Sequence, residues 1–254
     1  MWGIIPAAGR GSRIQPLAFS KELLPLGKAR DCAPRPCAVA EYLLDRMLAG
    51  GADKLCIVIG AGKSDIVEYF GGTFGSASIA YVVQPQPSGL CDAIFRAAPL
   101  LGGDETVAVG LPDTVWFPEN GLAALPDDAL SFLLFPVADP EHFDAVLLDD
   151  ERVREIRVKQ DAPGTHWIWG AFKTPARVFR ELHALWLRRE PRDEYIGTLV
   201  NAWLAQGGHA LGVKAGETYL DVGTLDGYRA AMHTLAGPRA APEIHDPATA
   251  GALR

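Results

Sequence analysis

An α/β protein built on a mostly parallel sheet flanked by helices is predicted by two features of this 254-residue sequence. Short apolar runs at 3–6, 54–59, 79–83, 106–109 and 131–135 alternate with amphipathic stretches at 38–49, 64–70 and 90–98. That alternation is the pattern of strands joined by crossover helices, and it gives a Rossmann-like sheet covered on both faces. The second feature is composition, because 48% hydrophobic residues over this length supply one substantial core.

Each element has its own signal. The first five runs are nearly continuous in apolar residues, as expected of parallel strands buried on both faces. Beyond residue 137 the pattern changes to strand-like runs at 145–148, 153–158 and 167–172, with helices at 175–188 and 194–205. Asp149-Asp150-Glu151 between the first two of these runs predicts a β-hairpin, a common way to build a lid or insertion. Residues 1–236 are therefore expected to form a single domain with halves at about 1–137 and 138–236. A Pro- and Ala-rich tail, 237–254, is expected to be loosely held. No solenoid-type repeat is present.

Composition excludes several classes. With 24 Lys and Arg against 31 Asp and Glu, the net charge is −7 and no basic run occurs, which argues against a nucleic-acid partner. No apolar run is long enough to cross a bilayer, and Met1-Trp2-Gly3 lacks the basic start of a signal peptide, so no membrane partner and a cytoplasmic location are expected. Cys32, Cys37, Cys56 and Cys91 have no zinc-site spacing and read as reduced packing thiols. The histidines are scattered and are assigned no chemistry.

The strongest local signal lies at the N-terminus. Ile4 and Ile5 end an apolar strand, and Ala7, Ala8 and Gly9 then strip away side-chain bulk so that backbone N–H groups can approach a ligand. Successive N–H groups in such a turn make a nest for an anion. After Gly11, Arg13 can hold phosphate oxygens bidentately and Lys21 can act as a compact point charge. Two better-known glycine motifs fail here. Gly9-Arg10-Gly11 has Ile14 where a dinucleotide-binding fingerprint needs its third glycine, and Gly62-Lys63-Ser64 has Ile57 where a P-loop needs its first.

Two aspartates follow strand-like runs, Asp113 in Gly110-Leu111-Pro112-Asp113-Thr114 and Asp221 in Tyr219-Leu220-Asp221-Val222-Gly223-Thr224. Magnesium is commonly held by one or two carboxylates together with substrate phosphates, so Mg²⁺ on this pair suits a triphosphate ligand. Gln84-Pro85-Gln86-Pro87-Ser88-Gly89-Leu90 follows another strand, and the Gln84 amide offers both a donor and an acceptor to a base.

Taken in order, Gly9-Arg10-Gly11-Ser12-Arg13, Pro16 and Ser20-Lys21-Glu22-Leu23-Leu24-Pro25 resemble the signature of the sugar-1-phosphate nucleotidyltransferases, the nucleotide-sugar pyrophosphorylases. The resemblance reaches to about Tyr228. It implies the nucleotide-diphospho-sugar transferase fold, with a nucleotide-binding first half and a hairpin-bearing second half that takes the sugar. Arg13 and Lys21 would serve catalysis on the triphosphate. Ala7, Ala8, Gly9, Gly11, Gln84, Gly89 and Leu111 would line the nucleotide, and Asp113 and Asp221 would be metal ligands. Lys159 falls where the family has the lysine of Glu-Lys-Pro, which contacts the sugar phosphate, although its neighbours here are Val158 and Gln160. Phe143-Asp144 stands where many members carry Tyr-Gly, so Asp144 and, more distantly, Gly170 would border the sugar.

The implied partners are a nucleoside triphosphate and a sugar 1-phosphate, and the sequence leaves room for a homo-oligomer. The Leu-Asp-Val-Gly-Thr element is most like the thymidylyltransferases acting on glucose 1-phosphate. Lys21-Glu22-Leu23-Leu24-Pro25 and Gly62-Lys63-Ser64-Asp65-Ile66 look more like uridylyltransferases. The expectation is therefore dTTP with glucose 1-phosphate, with UTP as the alternative donor and a non-catalytic nucleotide-sugar binding or regulatory protein as the alternative class.

Overall fold

The structure, a computed structural model, describes residues 1–27 and 36–236; the expected tail and Cys32 fall outside them. The first half runs β1 Trp2–Ala7, β2 Pro25–Leu26, β3 Cys37–Ala38, α1 Val39–Ala49, β4 Lys54–Gly60, α2 Ser64–Phe70, β5 Thr73–Phe74, β6 Ala77–Gln84, α3 Leu90–Phe95 and β7 Thr106–Gly110. It continues with β8 Thr114–Phe117, β9 Leu130–Pro136, β10 Asp144–Asp149, β11 Arg152–Val158 and β12 Trp167–Pro175. The chain then closes with α4 Ala176–Arg188, α5 Ile196–Leu204, β13 Ala210–Val213, β14 Thr218–Asp221 and α6 Leu225–Ala236.

Among the described residues, ten strands form one sheet in the order β10-β11-β13-β9-β12-β7-β1-β4-β6-β5. The expected parallel register holds through β7, β1, β4 and β6. Beyond β7 the sheet is mixed: β12 runs antiparallel to both β7 and β9, while β13 is parallel to β9. The hairpin is β10 with β11, turning at Asp150 in the left-handed region (φ 53°). It extends the edge of the main sheet, with β10 also pairing with β12 at Ala145 opposite Ile168.

Side-chain alternation explains why helices cover both faces. Ile4, Cys56, Val58, Val107 and Val109 enter one apolar cluster with α3, α4 and α5. Ile5, Leu55, Ile57, Ile59 and Ala108 enter the other with α1 and α2. The runs were continuous in sequence because both faces are buried.

A third, smaller cluster sits beyond the sheet edge. Leu24, Leu26, Val39, Tyr42, Val115, Val222 and Ala231 pack the β2–β3 ribbon, α1 and α6 against the antiparallel pair β8–β14. Directly after Asp113 the chain thus enters β8, whose partner lies a hundred residues away. The amphipathic stretch 90–98 ends its α-helix at Phe95 and passes into a 3₁₀ turn at Ala98–Leu100, where Pro99 supplies no N–H. The helix α6 was not anticipated; the Thr224 hydroxyl at its start accepts from the Gly227 N–H at 3.0 Å, the signature of an N-terminal cap.

Arg46 fastens α1 to β8. It is fully buried; its Nε donates to the Trp116 carbonyl at 2.6 Å and its Nη1 to the Tyr42 carbonyl at 2.7 Å. Its guanidinium lies 5.3 Å from the Trp116 ring centre and 5.0 Å from that of Phe117. Removing it strands buried carbonyls and leaves a cavity. Arg46→Ala should therefore lower stability by about 2–3 kcal/mol, read as a reduced urea midpoint with an unchanged slope.

Candidate active site

The parallel strands β1, β4, β6 and β7 deliver Ala7, Gly60, Gln84 and Gly110 to one edge of the sheet, the position where doubly wound folds bind ligands. The loop after β1 turns at Gly11, in the left-handed region at φ 64°. A Cβ there would lie 2.8 Å from Cδ of Lys21, so Gly11 admits the lysine stem as well as the turn.

Lys21 Nζ forms a close ion pair with Asp113 Oδ2. Burial alone would push the lysine pKa down and the Asp113 pKa up. The two opposite charges outweigh it, with Glu22 assisting Lys21, so Lys21 is held above its ordinary value and Asp113 below its own. Arg13 Nη1 reaches Asp221 Oδ2 at 3.2 Å.

The two aspartates, 108 residues apart in sequence (221 − 113), are joined by the β8–β14 ribbon, in which Asp221 lies opposite Thr114. The Val222 N–H donates to the Asp113 carbonyl at 2.8 Å, and the Gly223 N–H to Asp221 Oδ1 at 2.8 Å. Gly223 marks where the charges converge: a Cβ on it would meet Arg13 Nη2 and Asp221 Oδ1 at 2.9 Å and Asp113 Oδ2 at 3.0 Å. Three residues from three separated stretches of sequence thus surround one point, and Lys21 adjoins it through its ion pair with Asp113. Among the described residues, no group of three or more His, Cys, Asp or Glu side chains gathers to make a metal site of protein ligands alone. A pair of carboxylate oxygens flanked by two cations fits a hard cation that completes its shell with phosphate oxygens.

Cavities lie on either side of the N-terminal loop. One of about 540 Å³ is lined by Ala8, Arg10, Phe19, Gly60, Gln84 and Pro87, among others. The Gln84 side chain is buried, and its Nε2 donates to Asp92 Oδ2 at 2.7 Å and to the Gly89 carbonyl at 3.1 Å. Gly89 has φ 96°, and a Cβ on it would strike the Glu194 backbone at 2.8 Å. Leu111 is half-buried and its carbonyl accepts from the Thr114 hydroxyl. Gly9 has open space where a Cβ would be.

The second cavity, about 1060 Å³, is lined by Arg13, Asp221, Lys159, Phe143, His142 and Glu217, among others. Lys159 is left-handed at φ 46°, an uncommon state for a non-glycine residue, and its Nζ lies 4.5 Å from the Tyr195 ring centre. Asp144, at the start of β10, has its pKa raised by burial despite the Lys159 charge. Gly170 lines neither cavity. A Cβ on it would stand 2.6 Å from both the Phe135 and Tyr219 rings, so its smallness serves aromatic packing.

Sequence reasoning passed over the supports of this site. Glu22 is 1% exposed and paired with Lys63, and Asp65 holds Ser20; each is an ordinary polar residue whose importance comes from its distant partner. Gly223 had a readable signal, a glycine two residues after a candidate ligand.

An α/β sheet with a small-residue loop, two cations and two carboxylates at its carboxyl edge defines a phosphate-handling protein of the nucleotide-binding class. The sequence profile of the nucleotidyl transferase family matches residues 2–237, and this chain belongs to that family. It is 30% identical over 237 residues to a glucose-1-phosphate thymidylyltransferase of Mycolicibacterium smegmatis, the match covering 89% of this chain and 79% of that one. A glucose-1-phosphate thymidylyltransferase of Neisseria meningitidis is 30% identical over 176 residues, covering 66% of this chain and 58% of its own length. Among solved structures, UDP-glucose pyrophosphorylase from Acinetobacter baumannii superposes with a TM-score of 0.73 at 20% identity, covering 91% of this chain and 92% of that one, a likeness of fold. No helix among the described residues is long and apolar enough to cross a membrane.

Gly223→Ala is backbone-tolerable but places a methyl group among the converging charges. It should leave the melting temperature within about 3 °C of the parent while lowering turnover at least about a hundredfold, as expected when charge-stabilising groups are misplaced.

Proposed function

We propose that this protein transfers a nucleotidyl group from a nucleoside triphosphate, dTTP in preference, to glucose 1-phosphate, releasing pyrophosphate and a nucleotide sugar. The observation that carries the reading is the convergence of Asp113, Asp221 and Arg13 about Gly223, with Lys21 paired to Asp113, beside a loop that borders two cavities. One cavity suits the nucleotide and the other the sugar phosphate.

In this mechanism an oxygen of the sugar phosphate attacks the α-phosphorus in line as the bond from that phosphorus to its bridging oxygen breaks, so that pyrophosphate leaves with the bonding electrons. Little covalent chemistry falls to the protein; positioning and charge neutralisation carry the rate. Arg13 and Lys21 hold the triphosphate and the departing pyrophosphate. Asp113 and Asp221 would hold Mg²⁺, which supplies further neutralisation of phosphate oxygens. Lys159 orients the acceptor phosphate from across the larger cavity, with Asp144 beside it.

Base preference is supported by the Gln84 amide. Its Nε2 is engaged by Asp92 and Gly89, which leaves Oε1 to accept a hydrogen bond. Thymine and uracil present an N3–H donor; cytosine N3 is an acceptor and would be repelled. The preference for dTTP over UTP is supported by relatives: the mycobacterial-type thymidylyltransferase match covers 89% of this chain. A UTP–glucose-1-phosphate uridylyltransferase of Mycoplasma pneumoniae, 29% identical, covers 46% of it. That second match sustains UTP as the alternative donor.

The test is pyrophosphate release with Mg²⁺ over a grid of dTTP, UTP, CTP, GTP and ATP against several sugar 1-phosphates. The expected result is release with dTTP and glucose 1-phosphate, weaker release with UTP and almost none with CTP. Lys21→Met and Asp113→Asn should each reduce it by about a hundredfold or more. Near-normal turnover in either variant would refute the assigned roles, and release confined to a purine triphosphate would refute the base reading.

A further inference from the structure

The P-loop-like triplet Gly62-Lys63-Ser64 fails as a phosphate motif, yet Lys63 and the following Asp65 contact the N-terminal segment at three residues, Ala7, Ser20 and Glu22. Lys63 Nζ donates to both carboxylate oxygens of Glu22 at 2.8 Å and to the Ala7 carbonyl at 2.6 Å. Two residues on, Asp65 accepts from the Ser20 N–H at 2.6 Å and from the Ser20 hydroxyl at 2.7 Å. Ser20 and Glu22 are the immediate neighbours of Lys21. The turn that opens α2 therefore grips the chain on both sides of the lysine, and also grips the end of β1 where the phosphate loop begins.

We propose that Lys63 and Asp65 are positioning residues that fix Lys21 and the loop from Ala7 to Arg13 in the geometry needed for transfer, and that Lys63 does not itself bind phosphate. This rests on the nucleotidyl-transfer reading for its effect on rate, but its structural content is independent of it.

The physical case is one of saturation and burial. The Lys63 ammonium has three protons and three acceptors, with a side chain 12% exposed against a Glu22 side chain only 1% exposed. Turning Lys63 toward a ligand would leave the Glu22 carboxylate buried without its main partner, which is strongly unfavourable. Burial already raises the Glu22 pKa, and the Lys63 and Lys21 charges oppose that rise. Glu22 thus also faces Lys21 and supports its charge, so the clamp acts on the lysine's position and on its electrostatics together. A lysine serving phosphate in the P-loop manner would instead keep donors free.

The experiment compares Lys63→Met, Glu22→Gln, the double variant and Asp65→Ala with the parent protein. It uses three readouts: steady-state pyrophosphate release, dTTP-dependent thermal shift, and amide hydrogen exchange over residues 7–23. The double variant removes both charges at once, and Asp65→Ala leaves the buried pair intact, so at least one variant keeps the fold. Expected is a kcat loss of about tenfold to a hundredfold in each single variant, the double variant falling no further than the worse single one, with KM for the sugar phosphate within about threefold. Exchange over 7–23 should quicken by about tenfold or more while β4 and β6 keep their protection. If Lys63→Met weakens dTTP binding while Glu22→Gln leaves binding and kcat intact, Lys63 is a phosphate ligand and the proposal is overturned. Unchanged exchange over 7–23 in the double variant also overturns it. Absence of pyrophosphate release from the parent would refute the transfer reading, while the exchange data would still decide whether the clamp exists.

Discussion

A largely buried carboxylate needs a partner to stay charged, and the pairing of Asp113 with Lys21 is the constraint around which this molecule is arranged. Burial opposes both charges, and each is sustained by the other. The pair forms only if the loop after β1, the turn after β7 and the opening of α2 meet at one edge of the sheet. A ligand triphosphate and its metal would enter a site whose charges are already desolvated and oriented. Such preorganisation makes electrostatic stabilisation effective in catalysis.

The rest of the fold supplies the rigidity that this arrangement needs. The parallel strands from β7 to β6 fix the edge, and helices on both faces bury alternate residues of each strand. The third apolar cluster carries the less obvious task. By packing Val115 and Val222 together with Tyr42 and Ala231, it holds β8 against β14 and so sets the two aspartates beside each other. Arg46 reinforces the same ribbon from α1. Substitutions distant from the ligands can therefore misplace the carboxylates without touching either one.

What could be read from the sequence, and what could not, follows the range of the interactions. The loop from Ala7 to Arg13, the strands before it and after it, and the hairpin at Asp150 were legible because turn chemistry and apolar runs are local signals. Asp113 and Asp221 were legible as a pair of candidate ligands, each an aspartate after a strand. The ribbon that joins them was not, because it is a pairing across more than a hundred residues. The mixed half of the sheet was hidden for a related reason: β12 is apolar and buried whichever way it runs, and its antiparallel direction is set by the connections around it. Lys63 is the most instructive case. Its motif was rightly rejected as a P-loop, but nothing in Gly62-Lys63-Ser64 signals a partner at Glu22. Gly170 shows the converse, a position recognised by its place in a family pattern whose local role is to make room for Phe135 and Tyr219.

Of the departures from the family pattern, Phe143 lines the larger cavity and Val158 and Gln160 flank Lys159, which also lines it, whereas the charge cluster beside Gly223 keeps its candidate groups. The chemistry and the choice of acceptor are thus written in separable parts of the site, and the account stands chiefly on the first. Its central claim is that Asp113 and Asp221 together hold a divalent cation that binds with the triphosphate. The most direct measurement is a Mn²⁺ titration followed by electron paramagnetic resonance, with and without dTTP, on the parent, Asp113→Asn and Asp221→Asn. The account predicts weak Mn²⁺ binding to the protein alone, at least about tenfold tighter binding when dTTP is present, and loss of that gain in both variants. Nucleotide-dependent Mn²⁺ binding that survives both substitutions would contradict it.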